Sequence, residues 1–168
     1  MDLGDIPIQF KNTVKILGVY FSHLFPARYI KENYLERIEN VKRILGTWSK
    51  RNLSFIGKLH VIKTFGMSQF VFIMKSVGLS KPILKEINYI FYSFLWKQKM
   101  DGKKPRERVR RTVVCSDYEK GGLKMIDMET LQESIMLEWA ECLMSEGNKE
   151  WKDIALFFFR HLGGKSVF

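Results

Sequence analysis

Three consecutive segments with apolar residues at helical spacing constrain this fold more than any other feature of the sequence. Hydrophobic positions recur three or four residues apart over residues 31–50, 55–77 and 82–96. Short turns separate the segments, so the succession predicts a helical bundle. Ser54 is predicted to cap the second helix, and Pro82 is expected in the first turn of the third.

The sequence on either side of these segments has a different character. Two extended stretches are expected near the N-terminus, around 6–8 and over 14–21, with Lys11-Asn12-Thr13 as the turn between them. After the third helix, a basic loop, a turn at Gly121-Gly122-Leu123 and one or two further helices are expected. We therefore predict a mainly α fold, in which a short N-terminal β-hairpin precedes a bundle of about four to five helices.

The positive charge of the chain is unevenly distributed. The net charge is +10, with 22 basic and 8 acidic residues in 1–116 but 6 basic and 10 acidic residues in 117–168. One basic patch, over residues 42–63, includes Arg51, Lys58 and Lys63. A second patch contains the arginines at 106, 108, 110 and 111. This distribution favours a polyanion-binding surface, and a merely solvated charged face is the alternative for each patch.

The sequence contains no recognisable catalytic or metal-binding motif. Its two cysteines form no CxxC pair, and its three histidines have no partners at ligand spacing. The glycine pairs lack the strand-to-helix context of a phosphate-binding loop. We therefore expect no catalytic residues in this chain. The most apolar run, 65–74, is too short to span a bilayer, so no membrane partner is expected.

Several short motifs resemble, in order, the reverse transcriptases of LINE-type (non-LTR) retrotransposons. The stretch 14–19 is similar to the element that closes the palm in that family, and the residues at 53–54 and 57–58 are similar to its "LS..GR" pattern. The stretch 94–96 resembles its "FIW" ending, and 121–127 resembles its "GGL..PD" element. The match extends over roughly residues 5–145, with Lys58 in place of the more frequent arginine.

The resemblance implies a division of the chain into three parts. Residues 1–25 would be the end of the palm with a primer-grip-like hairpin, 26–96 a thumb-like three-helix bundle, and 97–168 a post-thumb segment. The catalytic aspartates of the family lie upstream of its palm-closing element. The resemblance therefore implies a non-catalytic fragment of an RNA-directed DNA polymerase, with no cofactor of its own, although the parent protein would need Mg²⁺.

The same resemblance implies a role in holding the template–primer duplex, either RNA–DNA or DNA, while the missing palm and fingers portion is a protein partner. Leu17 and Gly18 would lie at the primer grip, and residues of the first basic patch would face the duplex backbone. The predicted nucleic-acid-binding residues are Leu17, Gly18, Arg51, Lys58, Lys63, Arg106, Arg108 and Arg110.

Localisation and an alternative function are also predicted. The resemblance implies an intracellular protein of the cytoplasm and nucleus, although no localisation signal in the sequence is convincing. The alternative function is a helical protein-interaction module, or a decayed remnant of an element with no independent activity.

Overall fold

The computed structural model describes residues 11–22, 26–98, 106–145 and 150–161. Within these ranges the chain is mainly helical with one N-terminal antiparallel hairpin, which confirms the predicted fold class. The elements are β1 (Thr13–Ile16), β2 (Val19–Ser22), α1 (Pro26–Ser49), α2 (Phe55–Val61), a π-helical segment (Ile62–Met67), α3 (Ser68–Ser76), α4 (Lys81–Leu95), α5 (Arg111–Cys115), a 3-10 turn (Tyr118–Lys120), α6 (Met128–Met144) and α7 (Glu150–His161).

The hairpin turn lies inside the stretch that the sequence pattern predicts to be one strand. β1 pairs with β2 from Thr13↔Ser22 to Ile16↔Val19, so the single extended stretch predicted over 14–21 is wrong. The turn predicted at 11–13 stays a prediction, because the chain on its N-terminal side is not described. The two-residue turn is Leu17-Gly18, with φ of +49° and +83°. Two positive φ values give a twist that matches the flanking strands. The other predicted extended stretch, around 6–8, lies outside the described residues.

A single asparagine joins the hairpin to α1. The Asn33 side chain accepts a hydrogen bond from the backbone N–H of Tyr20 and donates one to its carbonyl oxygen, each 2.8 Å long. Tyr20 faces Lys15 across the hairpin, at a position where its backbone groups point away from β1. The buried amide of Asn33 therefore replaces the missing neighbouring strand at this edge.

The second predicted helix is continuous from Phe55 to Ser76 but contains a π-helical stretch. Ser54 caps its N-terminus, since the backbone N–H of Gly57 donates to Ser54 Oγ over 3.1 Å. Within the π-helical stretch, a Cβ on Gly66 would lie 2.7 Å from the Phe91 ring. This glycine therefore permits the close approach of α4.

The core of the bundle lies between α1, the helical segment 55–76 and α4. Tyr34 and Phe91 both pack on Phe70, with ring centroids 6.2 Å and 6.3 Å apart. The Tyr34 hydroxyl donates to the Val77 carbonyl oxygen over 2.9 Å, which anchors the end of α3 on α1. Burial raises the pKa of Tyr34 above its ordinary value.

The chain divides into two compact units, Met1–Gln132 and Glu133–Phe168, and α6 contributes to both. In the second unit the Lys152 ammonium donates to the carbonyl oxygen and hydroxyl of Ser145, over 2.6 Å and 2.9 Å. The rings of Trp139 and Trp151 meet edge to face, 5.9 Å apart. Among the described residues, no helix is both long enough and apolar enough to cross a membrane.

Candidate nucleic-acid interface

Basic residues from three parts of the first unit meet where α4 ends. We call this surface the basic end and define it by Arg51, Lys97, Arg106 and Arg108. Two contacts tie these segments together: a hydrogen bond from Lys97 to Asn52 and a hydrogen-bond pair between Gln98 and Arg106. The charges of Lys97 and Arg108 also lie near enough to the buried Lys58 ammonium to lower its pKa. Residues far apart in the sequence thereby form one positively charged surface.

The C-terminus of α4 places Lys97 in a conformation that lysine rarely adopts. The Gln98 N–H donates to the Ser93 carbonyl oxygen over 2.9 Å, and the Lys97 N–H donates to that of Phe94 over 3.2 Å. These two bonds define a Schellman motif, in which the residue at the position of Lys97 takes a left-handed conformation and is usually glycine. Lys97 has φ +52°, so an exposed cation stands at this position despite the strain.

The turn between α1 and α2 lies against the end of α4. The Lys97 ammonium donates to Asn52 Oδ1 over 3.2 Å. The neighbouring Arg51 guanidinium lies 4.8 Å from the centroid of the Trp48 ring. Arg51 is exposed, and its stacking on Trp48 holds a planar cation at the surface of the basic end.

The backbone of Arg106 is bound at both polar groups by one side chain. Gln98 Nε2 donates to the Arg106 carbonyl oxygen over 2.7 Å, and the Arg106 N–H donates to Gln98 Oε1 over 2.8 Å. Arg106 and Arg108 are both exposed, so their guanidinium groups extend into solvent while the chain beneath them is fastened to the end of α4.

The structure corrects the expected placement of Lys58. Lys58 is only 6% exposed, and its ammonium donates to the Leu95 carbonyl oxygen over 2.7 Å. Burial, together with the charges of Lys97 and Arg108, lowers the pKa of Lys58. A cation at a helix C-terminus satisfies a free carbonyl and interacts favourably with the helix dipole. Lys58 therefore joins α2 to the last residue of α4 beneath the basic end, and does not face solvent.

The remaining predicted residues lie apart from this cluster or have no described contact with it. Lys63 is half-buried in the π-helical segment, and Arg110 is exposed at the start of α5. Leu17 and Gly18 form the tip of the hairpin, where Leu17 is 85% exposed. A polar groove of about 660 Å³ lies beside the tip; it is lined by Lys15, Gly18, Glu36, Arg37, Glu39, Asn40, Arg43 and Gln69.

Some other basic residues of the described chain form ion pairs, unlike the four of the basic end. Lys42 pairs with Glu39 and Glu86, at 2.8 Å and 3.0 Å, and Arg111 pairs with Glu107 at 2.6 Å. Arg111 also stacks on the Tyr92 ring at 4.2 Å. Within the described ranges, no carboxylate pairs with any of the four residues of the basic end. Their charges therefore remain available to an external anion.

The sequence pattern missed Lys97 and Gln98 as members of this surface. Lysine is not a usual residue at the left-handed position of a helix end, and glutamine carries no charge that would draw attention to it. The only available signal was their position, directly after the last apolar residue of a helix and before a run of basic residues.

The predicted turn at Gly121-Gly122 packs against the end of α5. Gly121 has φ +74° and ends the 3-10 turn, while the Gly122 N–H donates to the Asp117 carbonyl oxygen over 2.9 Å. Two further backbone bonds, from the N–H groups of Leu123 and Met125 to the Val114 carbonyl oxygen, close the loop. Gly121 and Gly122 therefore both have a structural role in this turn, whether or not the chain belongs to the family that the motif resembles.

No group of three or more histidine, cysteine, aspartate or glutamate side chains in the described part of the chain could hold a metal ion.

Comparison with known proteins finds a distant similarity. The chain is 27% identical over 124 residues, or 74% of its length, to a protein of Arabidopsis thaliana named "Putative ribonuclease H protein At1g65750". The chain spans about a fifth (20%) of that protein's length. No protein-family model matches the chain. No solved structure matches it either.

Proposed function

We propose that this chain is a non-catalytic, thumb-like segment of a retrotransposon-type RNA-directed DNA polymerase, and that it binds a template–primer duplex through the basic end. The observation that carries the proposal is the group of four exposed cations without carboxylate partners among the described residues. Phosphate groups would neutralise these cations, and the release of counterions from the nucleic acid would favour binding.

Two further findings support this function. The hairpin followed by a helical bundle agrees with the order of elements that the resemblance to non-LTR reverse transcriptases implies. The curated Arabidopsis relative is named as a ribonuclease H protein, and nucleic acid is therefore the ligand class indicated by its name. Duplex binding through phosphate contacts would be independent of sequence, because lysine and arginine contacts to phosphates do not distinguish bases.

The proposal predicts that the position of the charges matters, and not their number alone. We expect the double substitution Arg51→Gln/Arg108→Gln to weaken binding to a labelled RNA–DNA hybrid by on the order of tenfold near 0.1 M salt. The slope of log affinity against log salt should become shallower by roughly 1.8, at about 0.9 for each lost phosphate contact. Fluorescence anisotropy across salt concentrations measures both quantities.

The matched control is Lys81→Gln/Lys85→Gln, which removes the same charge from exposed positions near the start of α4. Residues 85 and 97 are separated by roughly 18 Å of helix rise. The control should bind nearly as well as the unmodified chain. Equal losses in both variants would contradict a localised interface. Absence of salt-dependent binding, with a sedimentation coefficient that rises with concentration, would instead favour the protein-interaction module.

The strained Lys97 allows a prediction in which stability and binding change in opposite directions. Lys97→Gly should raise the free energy of unfolding by about 1 kcal/mol, since glycine adopts φ +52° without the clash of a Cβ atom. The same variant should lose one phosphate contact and about 0.9 of the salt slope. Urea unfolding and anisotropy measure the two effects.

Lys97→Asn is the companion variant, because asparagine tolerates the left-handed conformation better than lysine but carries no charge. It should lose the same salt slope with a smaller gain in stability. An unchanged slope in both variants would show that Lys97 makes no phosphate contact. A decrease in stability of Lys97→Gly would show that the left-handed conformation is not under strain.

A further inference from the structure

Gln98 is the only side chain that bridges the end of α4 to the second basic patch among the hydrogen bonds of the described residues. We infer that Gln98 is a positioning residue for the interface: it touches no phosphate itself but fixes Arg106 and Arg108 beside Lys97. The inference rests on the proposed function and adds to it a residue that carries no charge.

The geometry of the bridge is specific at both ends. The Schellman motif fixes the backbone of Gln98, because its N–H is bound to the Ser93 carbonyl oxygen. The side-chain amide then uses both its donor and its acceptor on one residue, Arg106, eight positions further along the chain. Two bonds to one peptide segment restrict rotation as well as distance, so the direction in which the chain continues toward Arg108 is also restricted.

Electrostatic repulsion explains why such a bridge is needed. Lys97 and Arg108 both act on the buried ammonium of Lys58, so three like charges converge around the end of α4. Like charges close to one another repel. No carboxylate among the described residues pairs with any of these three cations. A neutral double hydrogen bond holds the segment in place without cancelling the charge that an anion would recognise.

Replacement of Gln98 by leucine tests the inference, because leucine approximates the size of glutamine but makes neither bond. The hydrogen bonds are exposed, so the free energy of unfolding should change by less than about 1 kcal/mol. The salt slope for hybrid binding should nevertheless become shallower by about 0.9 to 1.8, corresponding to one or two lost phosphate contacts. A residue with only a structural role would alter stability and leave the slope unchanged.

A double-mutant cycle identifies the route of the effect. In an Arg106→Gln/Arg108→Gln background, Gln98→Leu should cause no further loss of slope, because the groups that it positions are already absent. Full additivity of the two losses would overturn the inference. If Gln98→Leu misfolds, Gln98→Ala provides the same comparison.

The outcomes separate this inference from the proposed function. Should the arginine variant lose affinity while Gln98→Leu retains the full salt slope, the interface stands and Gln98 has no positioning role. Should the unmodified chain show no salt-dependent binding to the hybrid, both the proposed function and the inference are overturned.

Discussion

Gly122→Ala is expected to destabilise the first unit by about 3 kcal/mol, the upper part of the range for overpacked sites. A Cβ atom on Gly122 would overlap the carbonyl oxygen and carbon of Ser116 as well as its hydroxyl. Backbone atoms cannot rotate away as the end of a flexible side chain can. The loop would therefore have to separate from α5, with loss of the bonds to the Val114 carbonyl oxygen.

The adjacent glycine provides the matched control. A Cβ on Gly121 would meet nothing within 4 Å, but the residue has φ +74°. Gly121→Ala should therefore lower stability by only about 1 to 2 kcal/mol, the strain of a left-handed non-glycine residue. Urea unfolding followed by circular dichroism gives both values. Equal effects of the two substitutions would show that the loop does not pack on Ser116 as described.

This loop shows what a short motif can and cannot predict. The glycine pair predicts a turn, because glycine is the residue that most readily takes positive φ. It does not show that the two glycines serve different purposes, one for its φ angle and the other for close contact with a neighbouring backbone. That distinction depends on Ser116, which the turn brings back into contact. The sequence therefore predicts the turn and leaves its packing undetermined.

Dependence on contacts between residues distant in the sequence also explains the main error in the predicted fold. The stretch 14–21 is rich in β-branched and aromatic residues, which predicts one continuous strand. Leu17-Gly18 is instead the turn, although leucine is an unfavourable residue at positive φ. The docking of β2 on Asn33 contributes two half-buried hydrogen bonds to this arrangement. Tertiary contacts thus stabilise a turn that local preference disfavours.

The helices, by contrast, were predictable because their pattern is local. Apolar residues at helical spacing predict the face that packs inward, and Tyr34, Phe70 and Phe91 are all fully buried. The π-helical stretch has no comparable signature. It occurs where Gly66 meets the Phe91 ring, a contact between residues far apart in the sequence.

Charge was the least reliable guide to the candidate interface. The basic patch 42–63 contains lysines in three different environments: Lys42 is paired with glutamates, Lys58 is buried on a carbonyl oxygen, and Lys63 is half-buried. Lys152 in the second unit is likewise buried, with its ammonium on Ser145. A count of basic residues does not distinguish a cation that is hydrogen-bonded to a carbonyl oxygen at a helix C-terminus from one that remains available to phosphate.

Lys58 offers the sharpest test of that distinction. Lys58→Glu should destabilise the first unit by about 3 to 5 kcal/mol, the range for a buried charged contact that is broken. The new carboxylate would face the Leu95 carbonyl oxygen, and both groups accept hydrogen bonds without donating. A loss of nucleic-acid binding by this variant would therefore report unfolding, and would not identify a phosphate contact.

Lys58→Met separates the two roles, because methionine keeps most of the side-chain length without a charge. If the only role of Lys58 is to donate a hydrogen bond to the Leu95 carbonyl oxygen, this variant should be less stable by about 1 to 3 kcal/mol, because that carbonyl would be unsatisfied. Its salt slope for hybrid binding should remain that of the unmodified chain. A slope shallower by about 0.9, with the fold intact, would instead place the Lys58 ammonium on a phosphate.

The pH dependence of stability provides an independent measure of the buried ammonium. The pKa of Lys58 is lowered in the folded state, chiefly by burial, so the unfolded chain binds this proton more tightly. Between the lowered folded pKa and the ordinary lysine pKa, the unfolded state carries the extra proton, and stability rises with pH. The difference in unfolding free energy between the unmodified chain and Lys58→Met should therefore shift in favour of the unmodified chain as the pH increases through this interval. Urea unfolding of both proteins at a series of alkaline pH values measures this difference in unfolding free energy. A difference that does not change with pH would show that the Lys58 ammonium is as well solvated in the folded chain as in the unfolded one.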